Sequence, residues 1–228
     1  MSRSGGDPAE VWSAVDRYIE DKMVRADPAL DAALAASVDA GLPAIAVSPV
    51  QGKLLHIVAR AMRATAILEI GTLGGYSAIW LARALLPGGR LITIERDPRH
   101  ARIARANVER AGVDELVELR TGDALDVLPQ LAAERAGPFD LTFIDADKPR
   151  ITEYFDWALQ LSRVGSLIVV DNVIRNGAVV DPASTDPDVQ GVRRFNDRLA
   201  REPRVAATAI QTVGVKGYDG FAAALVLA

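Results

Sequence analysis

The chain of 228 residues has no cysteine and only two histidines, His56 and His100. Disulfides, thiolate catalysis, iron–sulfur clusters and cysteine-based zinc sites are therefore excluded. Two histidines so far apart in sequence leave no basis for a multi-histidine metal site. Lysine is scarce too, with four in all: Lys22, Lys53, Lys148 and Lys216. No apolar run nears the ~18 residues of a membrane span; the longest strand-like run is Leu167-Ile168-Val169-Val170. Met1 to Glu10 carry Arg3 and Asp7 without an apolar stretch, so no secretory signal is read there and a cytoplasmic address is expected.

What is present is ordinary globular material: 50% hydrophobic, 25% charged, net charge −4. The length fits one α/β domain. Mild acidity argues against a general nucleic-acid binder. Arg99, Arg102 and Arg105 repeat at three-residue spacing, which reads as the solvated outer face of an amphipathic helix.

No repeat or linker divides residues 1–228. Residues 1–65 read as a helical extension, with segments at Pro8 to Arg25, Asp27 to Ala40 and Pro49 to Arg63; Asp27 before Pro28 and Ser48 before Pro49 are N-cap signals. Residues 66–228 alternate short apolar runs with helical stretches. Strands are expected at Ala66–Ile70, Leu91–Glu95, Val117–Thr121, Leu141–Ile144, Leu167–Val170, Val205–Ile210 and Phe221–Leu227. Helices near Tyr76–Leu85, Pro98–Ala111, Ala124–Ala133 and Thr152–Ser162 separate the first five, which implies parallel βαβ units. The last two strands lie close enough for an antiparallel hairpin at a sheet edge. The fold class is α/β, a doubly wound sheet with an N-terminal helical extension.

In such sheets ligands bind beyond the carboxyl ends of the strands. The first end reads Glu69-Ile70-Gly71-Thr72-Leu73-Gly74-Gly75-Tyr76-Ser77. Leu73 occupies the place of the second glycine in the dinucleotide fingerprint, so that fingerprint fails. Gly75-Tyr76-Ser77 imitates a nucleophile elbow, but Ile79 replaces the closing glycine and no histidine follows the late strands. An adenosyl ligand without a pyrophosphate remains. Glu95, ending the second strand, is placed to receive its ribose hydroxyls, and Glu69 adds a carboxylate suited to a positively charged ligand.

The fourth strand ends Ile144-Asp145-Ala146-Asp147-Lys148 and the fifth Val170-Asp171-Asn172. If these strands are neighbours, Asp145, Asp171 and Asn172 converge with oxygen ligands only, which favours a hard cation such as Mg²⁺, Mn²⁺ or Ca²⁺. Lys148, at the rim, reads either as a general base or as an exposed partner of Asp145 or Asp147.

Together with Gly122-Asp123-Ala124 and Asn176-Gly177, these motifs resemble the cation-dependent S-adenosylmethionine O-methyltransferases, the group of the catechol and caffeoyl-CoA enzymes, and most closely its bacterial branch. The resemblance runs from about Ser48 to the C-terminus. It implies a Rossmann-like class I methyltransferase fold with a seven-stranded sheet and an antiparallel last strand. It implies S-adenosylmethionine contacts at Val47, Glu69, Gly71, Thr72, Ser77, Glu95, Ala124 and Asp147. Asp145, Asp171 and Asn172 would hold the cation, Mg²⁺ first. Lys148 would be the base, acting beside Asp145, and Asn176 would lie near the substrate. Plant members carry tryptophan just before that asparagine; here Arg175 stands there, which points away from a phenylpropanoid–CoA acceptor.

The implied reaction is methyl transfer to one hydroxyl of a small catechol-like acceptor. The alternatives are a tRNA wobble 5-hydroxyuridine methyltransferase, supported only by the arginine stripe, and a non-catalytic adenosyl-ligand sensor, which would need neither Lys148 nor the acids. Val38–Ser48 and Gly177–Asp188 are expected to shape the acceptor site, the second as a surface loop acting as a lid. Val11, Trp12, Val15, Tyr18 and Ile19 form an apolar helical face that must be covered, and a homodimer using it is expected.

Overall fold

The computed structural model describes residues 7–228, so Arg3 of the leader reading lies outside the described residues. One local device starts most of the helices. A short polar side chain followed by proline opens α1 (Pro8–Met23), α2 (Pro28–Asp39), α3 (Pro49–Ala61), α5 (Pro98–Arg110) and α8 (Pro187–Ala200). In each the cap residue (Asp7, Asp27, Ser48, Asp97 or Asp186) accepts from a backbone amide of the first turn, and the proline removes a donor that would have had no partner. The other helices are α4 (Tyr76–Ala82), α6 (Ala124–Ala133) and α7 (Ile151–Gln160).

The strands are β1 (Ala66–Ile70), β2 (Arg90–Glu95), β3 (Val117–Thr121), β4 (Phe139–Ile144), β5 (Ser162–Asp171), β6 (Val205–Gly214) and β7 (Gly217–Val226). They form one seven-stranded sheet in the order β3-β2-β1-β4-β5-β7-β6. The first five are parallel, and β7 runs antiparallel to both β5 and β6, so the expected edge hairpin is present. The chain reverses its direction of winding between β1 and β4, and the ligand crevice of a doubly wound sheet belongs at such a point.

Both faces of the sheet are covered, as parallel strands require. Leu68 and Ile70 of β1 pack with α6, α7 and α8 on one face, while Ile67 packs with α2, α3, α4 and α5 on the other. The extension is thus part of the second layer, except for α1, which has no buried residue and lies against β6, β7 and α3. Among the described residues no helix is long and apolar enough to cross a membrane.

Helix α8 was not anticipated. Pro187, expected within a surface loop, is its first residue. Its buried residues Val189, Val192 and Phe195 recur every third position, a pattern masked by the charged run Arg193-Arg194 and Asp197-Arg198. The two strands of the hairpin are longer than expected, β6 at its end and β7 at its start. β6 runs to Gly214 although nearly every residue on it is exposed, because its pairing with β7 sets its length. The arginine stripe lies exposed on α5, and Arg105 donates to Thr121 Oγ1 at 2.9 Å.

Candidate active site

The carboxyl ends of β1, β2, β4 and β5 open into neighbouring cavities that share walls. The innermost, about 370 Å³, is lined by Val47, Gly71, Thr72, Ser77, Asp145, Asp147, Lys148 and Asn172 among others. A second, about 430 Å³, adds Glu95, Ala124, Arg150 and Tyr154. A third, about 550 Å³, opens outward past Gln51, Asp171, Asn172 and the β6–β7 turn.

Gly71 begins the turn after β1 with φ +99°, and a Cβ there would overlap the Asp145 carbonyl. Only glycine lets the turn lie this close to the mouth of β4. The turn is stitched to its neighbours by Gly71 N donating to Ile94 O at 3.0 Å and Asp145 N to Ile70 O at 2.9 Å. Glu95 at the end of β2 accepts from the amides of Leu73 (2.8 Å), Thr72 (3.3 Å) and Asp97 (2.8 Å). In this structure it therefore holds the glycine turn in shape while facing the second cavity.

Glu69 is fully buried. Thr93 donates to its Oε2 at 2.6 Å, and Thr72 and Thr93 share a hydrogen bond of 2.5 Å, while Glu69 Oε1 has no partner among the described residues. Burial pushes its carboxyl up to about 7, helped by the negative charges of Asp145 and Glu95 and opposed by nearby hydroxyls. Glu69 lines none of the three cavities itself and stands behind Gly71 and Thr72, which line the first; an acceptor with a free oxygen there fits an ammonium.

Asp147 is held on every side. Arg150 donates to both its oxygens at 2.9 Å, Tyr154 Oη donates to it at 2.6 Å, and the same guanidinium reaches Asp123 at 2.7 Å. Burial alone would raise the carboxyl, but these donors hold it below the usual range. The network fixes the wall of the second cavity beside Ala124.

β4 and β5 are adjacent, with Ile144 paired to Val170, so Asp145 and Asp171 emerge side by side. Asp171 is 5% exposed, and its carboxyl is pushed up to about 7 by burial and then by the charge of Asp145. Its Oδ1 accepts from Asn172 N at 2.9 Å and its Oδ2 from Gln51 Nε2 at 2.7 Å. Asn172 takes a left-handed backbone, φ +58°, as the chain leaves the strand. Among the described residues no group of three or more histidine, cysteine or acidic side chains gathers. The set here is two carboxylates and a carboxamide. The mutual repulsion of the carboxylates and their all-oxygen donors fit a hard divalent cation.

Lys148 is not at the rim: it is 5% exposed, with Nζ 3.3 Å from Asp145 Oδ1. It opens a 3₁₀ turn, Lys148–Arg150, on which α8 rests. Gly191 makes that contact close, since a Cβ on it would overlap the Lys148 carbonyl. Neither Gln51 nor Gly191 carries a sequence motif for this role; only the Asp186-Pro187 cap could have shown that a helix stands there. Asn176 is exposed and lines none of these cavities, whereas Arg175 lines the first and third and pairs with Asp188 at 3.0 Å. Val47 and Ser48, from the segment expected to shape the acceptor site, line the third cavity.

The family model described as O-methyltransferase matches residues 21–221. A catechol O-methyltransferase of Niastella koreensis is 57% identical over 95% of this chain and 98% of its own length. A catechol O-methyltransferase of Mycobacterium tuberculosis is 54% identical over 93% of this chain and 94% of its own. The crystal structure of TomG from Streptomyces achromogenes in complex with SAM superposes with a TM-score of 0.95 at 54% identity, covering 98% of this chain and 100% of that one. The O-methyltransferase from Bacillus cereus in complex with SAH gives 0.94 at 55% identity, over 96% and 99%. The sheet order and its antiparallel last strands are those of the Rossmann-like class I methyltransferases. The chain belongs to the O-methyltransferase family and is an S-adenosylmethionine-dependent O-methyltransferase.

Proposed function

We propose that this enzyme methylates one hydroxyl of a small catechol-like acceptor, with a divalent cation, Mg²⁺ first, held by Asp145, Asp171 and Asn172. The observation that carries the reading is the juxtaposition of a buried lysine, Lys148, with two mutually repelling carboxylates at the ends of adjacent strands. The catechol O-methyltransferases similar to this chain support the same acceptor class.

The chain's own groups divide the work. Glu69 receives the ammonium of the methyl donor and Glu95 its ribose hydroxyls. Val47, Gly71, Thr72, Ser77, Ala124 and Asp147 form the walls around it. A bound cation supplies charge that lowers the pKa of a chelating hydroxyl. Lys148 Nζ, acting as the uncharged amine, accepts the proton that the hydroxyl releases and becomes the ammonium that faces Asp145. Most of the acceleration comes from holding the attacking oxygen, methyl carbon and sulfur in line, which rigid strand ends do well.

The assay is turnover on a panel of vicinal dihydroxy aromatics before and after EDTA, with Asp171→Asn alongside. Loss of at least ~100-fold in both cases, restored by Mg²⁺ only in the wild type, is expected where a cation stabilises the reacting oxygen. Unchanged turnover after complete removal of metal would overturn the cation's role.

A homodimer is part of the proposal. Val11, Val15 and Tyr18 of α1 are 52%, 51% and 64% exposed, beside the open edge of β6, and one chain leaves this surface uncovered.

A further inference from the structure

Gln51 occupies a position with a default use that it does not follow. It stands three residues after the N-cap Ser48, and its backbone amide donates to Ser48 Oγ at 3.2 Å, which is one half of a capping box. In the other half, a glutamine at this position turns its side chain back to the amide of the cap residue. Here the side chain turns away and donates through Nε2 to Asp171 Oδ2 at 2.7 Å, across 120 residues of sequence. A local rule has been set aside at a site, which is where such departures concentrate.

We propose that Gln51 is a positioning residue that holds the Asp171 carboxylate in the orientation needed to bind the cation; this rests on the cation-dependent reading above. Asp171 Oδ1 is fixed by its neighbour Asn172, a bond local to the turn. Gln51 is the hydrogen-bond partner of Oδ2, and it comes from a helix of the N-terminal extension. With both oxygens tied, the carboxylate cannot rotate about its last torsion, and each oxygen keeps a lone pair for a cation. Asp171 is also buried beside Asp145, so without that donor Oδ2 would be a desolvated acceptor with no hydrogen bond of its own. Partners of ligands in this position change metal affinity about 10–100-fold when removed. Gln51 lines the outer cavity together with Asn172, which places it between the acceptor's entry and the acids.

The test is calorimetric titration of MgCl2 and MnCl2 into the SAH-loaded protein, comparing wild type with Gln51→Met and Gln51→Asn. Methionine keeps the volume without the donor, and asparagine keeps the amide but is one methylene too short to reach. Both variants are expected to bind the cation about 10–100-fold more weakly. SAH affinity should stay within about twofold, and in turnover the loss should be recovered at high Mg²⁺, as for a ligand-orienting role. Cation affinity within twofold of wild type in a folded variant would overturn the proposal while leaving the cation site standing. A wild-type protein that binds SAH and neither cation would overturn both.

Discussion

Thr93 donates its hydroxyl to Glu69 at 2.6 Å, and the opposite oxygen of the same carboxylate is buried without a partner among the described residues. Burial lifts this carboxyl from 4.5 to about 7. The folded state therefore keeps a proton that the unfolded chain has released. Stability from this group is complete below pH 4.5 and is lost as pH rises through about 7, by about 3 kcal/mol in all. Glu69→Gln is expected to flatten that part of the profile and to raise the melting temperature of the ligand-free enzyme at pH 8. The same variant should bind S-adenosylmethionine at least ~10-fold more weakly, since a charge-assisted hydrogen bond is removed. Thermal melts across pH 4 to 9 with a binding isotherm at pH 8 check both halves; an unchanged pH profile would rule out Glu69 as the titrating group.

Lys148 is tested by Lys148→Met, which retains the buried aliphatic stem without the amine. The expected loss is about 10²–10⁴-fold in kcat, the usual range for a positioned proton acceptor. SAH affinity is expected to remain within about threefold. A variant with near-normal kcat would assign the lysine to holding Asp145 in place.

Gly191 supports that lysine from behind. Its hydrogen-only side lets α8 rest directly on the Lys148 carbonyl, and Gly191→Ala forces the two apart. Overpacking of this kind costs about 1–3 kcal/mol. Displacing the turn should also lower kcat by about 10-fold with KM for the methyl donor little changed, as misplacement away from the chemistry does. Melting temperature and initial rates decide it. Lower stability at full kcat would show that the turn moves independently of the helix.

The exposed stripe of α1 gives a concentration-dependent prediction. Light scattering should report two chains per particle at micromolar protein. Charged substitutions at Val11 and Val15, exposed in the single chain, should shift the particle toward one chain without unfolding it. A mass of one chain at every concentration would show that α1 needs no second copy.

Local rules made much of this fold legible. Cap–proline pairs marked the starts of α2 and α3, and the alternation of Ala66–Ile70 with Tyr76–Ala82 and its successors marked the parallel sheet. The strand-end acids were legible because topology carries Asp145 and Asp171 to one crevice once β4 and β5 are neighbours. Three things were hidden. Helix α8 concealed a narrow apolar stripe among arginines. Lys148 sits deeper than its polar neighbours imply, because α8 covers it. Gln51 and Asp171 meet through a contact 120 residues apart that no spacing rule encodes.

The outer cavity is walled by the segment around Val47, by α1 and α3, and by the β6–β7 turn, where Lys216 donates to the Ala44 carbonyl at 3.0 Å. In the reading proposed above, the methyl donor's surroundings come mostly from the central strands, whose ends are stitched together by backbone hydrogen bonds, with Val47 shared between the two sets. These two sets of walls are free to diverge at different rates. Substitutions in the peripheral pieces can resize the entrance for a new acceptor while the reacting geometry is inherited intact. A library confined to Ala44, Val50, Leu54 and residues 212–217 is therefore expected to change which acceptors are taken far more readily than how fast a methyl group moves.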